Sequence, residues 1–181
     1  MQELSDKEIV VLAVKGDIKA FEQLVFRYEK PIFGYILRFV THKENAEDLV
    51  QETFIKIYRS LKTFDPEYKF KTWLFTVATN TVYDWLRKAK NNKEMFIIDD
   101  PNSDFETIDD TWSYKLIEDK ELVDNALKNI KPIYQSAIVL YYRDELTYKE
   151  IAEVLKVPIN TVKTYIYRAK KALNKEINQK V

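Results

Sequence analysis

The sequence predicts an all-α protein: two small helical domains joined by an acidic flexible linker, the C-terminal one a helix-turn-helix. Three observations predict it. Apolar residues return at three- and four-residue steps over most of the 181 residues, the period of an α-helix with one buried face. The chain has only two glycines, too few for the turns of β-sandwiches and barrels or the phosphate loops of dinucleotide folds. Charge is sorted along the chain although it sums to zero, with 29 Lys and Arg against 29 Asp and Glu.

The N-terminal domain is expected over residues 1–92. Asp17 is placed to cap a helix beginning near Lys19, whose buried face is Ala20, Leu24, Ile32, Tyr35 and Ile36. Thr41 is placed to cap the next, around Glu44, with Leu49, Phe54, Ile57, Tyr58 and Leu61 inward. The stretch FDPEYKF, Phe64 to Phe70, contains a proline that interrupts the pattern and reads as a loop. KTWLFTVATNTVYDWLRKAKN resumes as a helix, with Trp73, Val77, Asn80, Thr81 and Asp84 at helical steps and Leu74 and Val77 assigned to the core. Residues 93–117 then lose periodicity and gain Pro, Asn, Ser and acids, the composition of a linker. Phe105 and Trp112 within it are unusual for a passive spacer and suggest that it docks.

Helical patterning returns over residues 118–181. Thr147 precedes Tyr148–Leu155 as an N-cap, and Glu150 three residues on completes a capping box. Ile151, Ala152 and Leu155 form the buried face, Lys156-Val157-Pro158 the turn. In the helix that follows, Val162, Ile166, Ala169 and Leu173 fall within about sixty degrees of one another at a hundred degrees per residue. Asn160, Thr164, Tyr167, Arg168 and Lys171 lie opposite, side chains suited to base edges and phosphates. This is the pattern of a helix-turn-helix, whose second helix enters a DNA major groove. A purely structural helical hairpin shares the same core spacing.

Charge sharpens that reading. Residues 53–93 hold nine Lys and Arg against three acids, and residues 147–181 hold eight against three. Between them, residues 94–124 hold eleven acids against two lysines. Phosphate contacts are made locally, within a Debye length, so two basic blocks keep nucleic acid open as a partner despite the neutral total. Several other chemistries lack their parts. Without cysteine there is no disulfide, thiol nucleophile or Cys-bound zinc, and no Gly-rich phosphate cradle is present. Glu44, Asp48, Glu52 and Lys56 form an i, i+4 ridge. A carboxylate metal site there would need Glu-x-x-His pairs, and the single histidine, His42, is expected in a loop. No cofactor and no catalytic residue is therefore expected. The N-terminus lacks a basic segment and cleavage site, and PIFGYILRFV is ten residues with Arg38 inside, so neither secretion nor membrane insertion is expected. A cytoplasmic protein is the reading.

Four stretches together resemble the small, two-domain extracytoplasmic-function (ECF) group of bacterial RNA polymerase sigma factors, in the sigma-70 family: GDIKAFEQLVFRY, AEDLVQETFIKIYRSL, FDPEYKFKTWLFTVATNTVYDWLRK and LTYKEIAEVLKVPINTVKTYIYRAKKAL. Their order and spacing match the family's. The resemblance implies a transcription initiation factor that binds core RNA polymerase through the clamp coiled coil and the flap of its large subunits. It would recognise the minus-35 and minus-10 elements of promoter DNA and promote melting. An anti-sigma factor is implied as a further partner.

Residue roles follow from the same resemblance. Asp48, Gln51, Glu52, Ile55, Lys56 and Arg59 would grip the polymerase clamp. Around the minus-10 element, Phe64, Phe70, Trp73, Asn80 and Tyr83 would stack on or read an unpaired base, with Thr72 beside them. Lys69, Lys71, Arg87, Lys88 and Lys90 would follow the phosphates. Asn160, Thr161, Lys163, Thr164, Tyr167, Arg168 and Lys171 would meet the minus-35 element. Two positions depart from the family pattern: Asn160 replaces a glycine frequent before Thr-Val, and Tyr165 replaces an arginine, both still able to read DNA. Relatives send the linker into the polymerase cleft, where an acidic tether with Phe105 and Trp112 would mimic RNA. A stand-alone helix-turn-helix regulator is the alternative, and would need a dimer interface and half-site geometry. A second alternative, an enzyme with a carboxylate site or nucleic-acid hydrolase activity, would show metal-dependent turnover.

Overall fold

The structure, a computed structural model, describes residues 4–90 and 120–178. Every regular element among them is helical. The linker assigned to residues 93–117, with Phe105 and Trp112, lies outside the described residues. The chain divides into two compact units, Met1–Trp85 and Leu86–Val181.

The first unit holds α1 (Asp6–Val14), α2 (Ile18–Ile36), α3 (Lys43–Ser60), a 3₁₀ turn (Leu61–Thr63) and most of α4 (Phe70–Lys90). Ser5 caps α1 in a capping box with Glu8. Gly16 makes the turn into α2 at φ +99°, where an L side chain would be strained. Asp17 then caps α2, its carboxylate accepting from the Ala20 N–H at 3.1 Å, as the sequence predicts. Pro31 sits inside α2 and offers no N–H to the carbonyl of Arg27. The helix continues through it because Leu24, Tyr28, Ile32, Tyr35 and Ile36 are all buried. Each fully buried apolar side chain contributes about 1.5–3 kcal/mol, comparable with the roughly 3 kcal/mol cost of proline. Tyr35 and Thr79 share a buried hydrogen bond of 2.8 Å that ties α2 to α4.

Two details of this unit differ from expectation. The N-cap of α3 is His42, with no side-chain cap bond, because the helix starts at Lys43 and leaves Thr41 one residue outside. Tyr58, expected inward, is 54% exposed and meets Phe21 ring to ring at 5.0 Å. Leu49, Phe54, Ile57 and Leu61 already fill the inward side of this stretch.

The second unit holds α5 (Lys120–Asn129), α6 (Pro132–Tyr142), α7 (Tyr148–Leu155) and α8 (Ile159–Asn178). Pro132 opens α6 at a position where its missing N–H costs nothing, and residues 132–140 are all buried. Thr147 caps α7 with Glu150 in the predicted capping box. α7 ends on Lys156 in the left-handed region, φ 56° and ψ 47°, a place usually held by glycine. Lys156→Gly should therefore raise stability by about 0.5–1 kcal/mol, read as an increased melting temperature in calorimetry. Val162, Ile166, Ala169 and Leu173 are buried along α8 as their spacing predicts.

Candidate nucleic-acid and polymerase interfaces

Three surfaces carry the residues singled out by sequence. The first is the outer face of α3. Glu44, Asp48, Gln51, Glu52, Ile55 and Arg59 are all exposed, in a ridge of mixed charge around one apolar residue. Lys56 is half-buried. Its ammonium pairs with Glu52 at 2.7 Å and donates to the Thr81 hydroxyl at 3.2 Å, so it braces α3 against α4 as well as bordering the ridge. Among the described residues no cluster of three His, Cys, Asp or Glu could hold a metal ion.

The second surface surrounds the loop between α3 and α4. Phe64, Phe70, Thr72 and Tyr83, expected to meet DNA, are buried. Phe64 and Phe70 meet edge to face at 5.8 Å, and Trp73 lies 4.8 Å from Phe64. Tyr28 joins from α2, 5.7 Å from Phe70. These rings form a packed aromatic cluster in which Trp73 keeps part of its surface in solvent. Beside the cluster is a cleft of about 290 Å³ whose walls include Val10, Tyr28, Phe64, Pro66 and Phe70, with Lys69 and Lys71 at its border. From Trp73 a partly open face runs along α4 through half-buried Val77 and Asp84 to exposed Asn80, Arg87 and Lys88. Leu74 is fully buried as expected, whereas Val77 is only partly so. Nothing is described of the Lys90 side chain.

Asp6 and Tyr28, neither of them named as a site residue from the sequence, shape this cleft. The Tyr28 hydroxyl and the Arg27 guanidinium both donate to the Asp6 carboxylate. Burial, then the adjacent carboxylate, hold the Tyr28 hydroxyl far above the ordinary tyrosine pKa, so it remains a proton donor at neutral pH. The capping box at Ser5 and Glu8 fixes where α1 begins, and its Ser-x-x-Glu pattern is the sequence signal that could have pointed to this wall.

The third surface is on α8. Asn160 and Lys171 are exposed, and Lys163, Tyr167 and Arg168 are half-buried. Thr161 and Thr164, expected on the DNA side, are 2% and 4% exposed. The buried stripe is wider than the four-residue seam suggested, and the Thr164 hydroxyl turns back to the Asn160 carbonyl at 3.1 Å. Tyr165 is fully buried with its ring 5.5 Å from Tyr134, so it is a core residue here and not part of the exposed face of α8. Arg168 reaches the Tyr134 hydroxyl at 3.4 Å, a long contact.

With this geometry in place, comparison with known proteins is decisive. The family model for sigma-70 region 2 matches residues 24–92, and that for sigma-70 region 4 matches residues 120–173. Across 184 aligned residues the chain is 33% identical to the ECF RNA polymerase sigma-E factor of Haemophilus influenzae, covering 97% of each protein. The chain belongs to the ECF sigma factors of the sigma-70 family. It is likewise 32% identical to the ECF sigma factor SigW of Bacillus subtilis, over 97% of this chain and 98% of that one. A solved structure of the sigma factor RpoE with the anti-sigma factor NepR, from Bartonella quintana, has the same fold. Its TM-score is 0.69 at 24% identity, over 89% of this chain and 98% of the other. Like other ECF sigma factors, the protein is a transcription initiation factor, and the reading as a stand-alone regulator is not favoured. None of its described helices is long and apolar enough to cross a membrane.

Proposed function

We propose that this ECF sigma factor divides promoter opening among the three surfaces. The exposed α3 ridge (Asp48, Gln51, Glu52, Ile55 and Arg59, bordered by Lys56) binds the clamp coiled coil of core RNA polymerase. The cleft and the open face of α4 hold melted minus-10 DNA. The exposed side of α8 reads the minus-35 element in duplex form. Catalysis then belongs to the polymerase, and the sigma factor itself is not an enzyme. The protein works in the cytoplasm, where an anti-sigma factor would restrain it. On this reading residues 1–92, 93–117 and 118–181 are its polymerase-binding and melting, linker and minus-35 domains.

The observation that carries the proposal is the aromatic-walled cleft at the start of α4's open, basic-ended face. A base leaving the DNA stack forfeits stacking worth about 1–3 kcal/mol, and it needs a replacement wall with cations for its backbone. Trp73 presents a partly exposed ring, Asn80 an amide, and Lys69, Arg87 and Lys88 the charges. The buried members have different tasks. Phe64 and Phe70 give the cleft its aromatic wall, and Thr72 and Tyr83 support it from behind, as Thr161 and Thr164 support the reading face of α8.

Permanganate footprinting of promoter complexes checks this division. Thymines of the minus-10 region should become reactive only with holoenzyme. A Trp73→Ala/Asn80→Ala protein should lose about ten-fold or more of that reactivity while still binding polymerase, since it sacrifices one stacking and one edge contact. Unchanged reactivity would place the melted strand elsewhere.

A further inference from the structure

On α3 two lysines pair with glutamates one turn away, in opposite order and different surroundings. Lys43 precedes Glu47 at 3.1 Å, and both side chains are well exposed. Such surface pairs hold their partners loosely. Glu52 precedes Lys56 at 2.7 Å, the order that stabilises a helix better. Lys56 is half-buried, and its ammonium also donates at 3.2 Å to the hydroxyl oxygen of Thr81 on α4. Thr81 is 1% exposed, and its own hydroxyl proton goes to the Val77 carbonyl at 2.9 Å. With that proton committed to the helix backbone, the Thr81 oxygen is left as an acceptor for Lys56. A continuous chain of contacts therefore runs from the Val77 carbonyl through Thr81 and Lys56 to the exposed carboxylate of Glu52.

We infer that Thr81 is a positioning residue for the polymerase grip, fixing the Lys56 ammonium so that it holds the Glu52 carboxylate ready for the clamp. The inference rests on the proposal that the α3 ridge binds there. A long side chain that rotates freely before binding loses that freedom at an interface, which weakens affinity by roughly two- to ten-fold. Here Glu52 is already restrained by folding. Lys56 alone would restrain it poorly, because an ammonium on a four-carbon stem is itself mobile. The buried anchor on α4 removes that mobility. Thr81 acts without touching the partner, since almost none of its surface reaches solvent.

The test is a double-mutant cycle on the full chain, read as the affinity of labelled protein for purified core polymerase. Glu52→Gln should weaken binding. Thr81→Val keeps the shape but removes the acceptor, and should weaken binding about three-fold or more. Thr81→Ala, which removes the acceptor without adding a methyl group, should do the same. In the Glu52→Gln background either change at Thr81 should alter affinity by less than about two-fold, because no carboxylate remains to be held. Thr81→Ser restores the acceptor and should bind like wild type. Wild-type affinity in both Thr81→Val and Thr81→Ala, beside a weakened Glu52→Gln, would overturn the positioning role. Equal losses in both backgrounds would overturn it too, as the mark of a purely structural effect. Wild-type affinity in Glu52→Gln alone would instead overturn the place of Glu52 in the ridge proposal, and this assignment with it.

Discussion

Replacing Asp48 and Glu52 together by lysine is expected to lower affinity for core RNA polymerase by roughly a hundred-fold or more, with the fold intact. The two carboxylates stand one turn apart on the exposed face of α3, with exposed Ile55 the next turn along. Burying such groups against a partner and then reversing their sign sets like charges together, which costs several kcal/mol at an interface. The fold itself should hardly notice. Glu52 does lose its pairing with Lys56, and two lysines four residues apart repel by about 0.3–0.5 kcal/mol. Lys56 nevertheless keeps its 3.2 Å contact to Thr81 on α4. Titration of labelled protein with core polymerase, beside a thermal melt, separates the two effects. Near-wild-type affinity would move the polymerase grip off α3.

Tyr165→Ala should have the largest effect on stability, about 3–5 kcal/mol, and should confine it to the second unit. The side chain is fully buried and packs on Tyr134, so truncation leaves a cavity between α8 and α6. A loss of that size is a large share of the 5–15 kcal/mol that holds a typical domain together. Hydrogen exchange on the whole chain should show α6 to α8 losing protection while α1 to α3 keep theirs. Tyr165→Phe keeps the ring and should retain both fold and minus-35 binding. Reduced DNA binding by folded Tyr165→Phe protein would return this residue to the reading face, where its position in the family pattern suggested it.

Tyr165 also shows which parts of this molecule were legible in the sequence. Helical period located the seams of α2 and α8, because aliphatic side chains have one favourable place to go. Caps were legible at Asp17 and Thr147 because a short polar side chain before an apolar run satisfies otherwise unpaired amides. Amphipathic residues were not legible. Threonine and tyrosine combine an apolar body with a hydroxyl, so spacing alone could not decide that Thr161, Thr164 and Tyr165 turn inward while Tyr58 turns outward. The surface of α3 was visible as an i, i+4 ridge, but not the second attachment of Lys56 to Thr81, which joins residues on different helices. The cleft was half visible. Its aromatic loop residues stood out, whereas the α1 wall is brought to the loop by tertiary contacts such as Lys7 with Glu67, sixty positions apart.

On the proposed division of labour, one chain supplies both the grip on polymerase and the choice of promoter. The most direct measurement is run-off transcription by purified core polymerase on a library of promoter fragments, with and without this protein. Discrete, promoter-specific transcripts are expected only when the protein is present, and should be lost with the Asp48→Lys/Glu52→Lys variant. Tight DNA binding without polymerase, accompanied by no holoenzyme and no specific transcript, would contradict it.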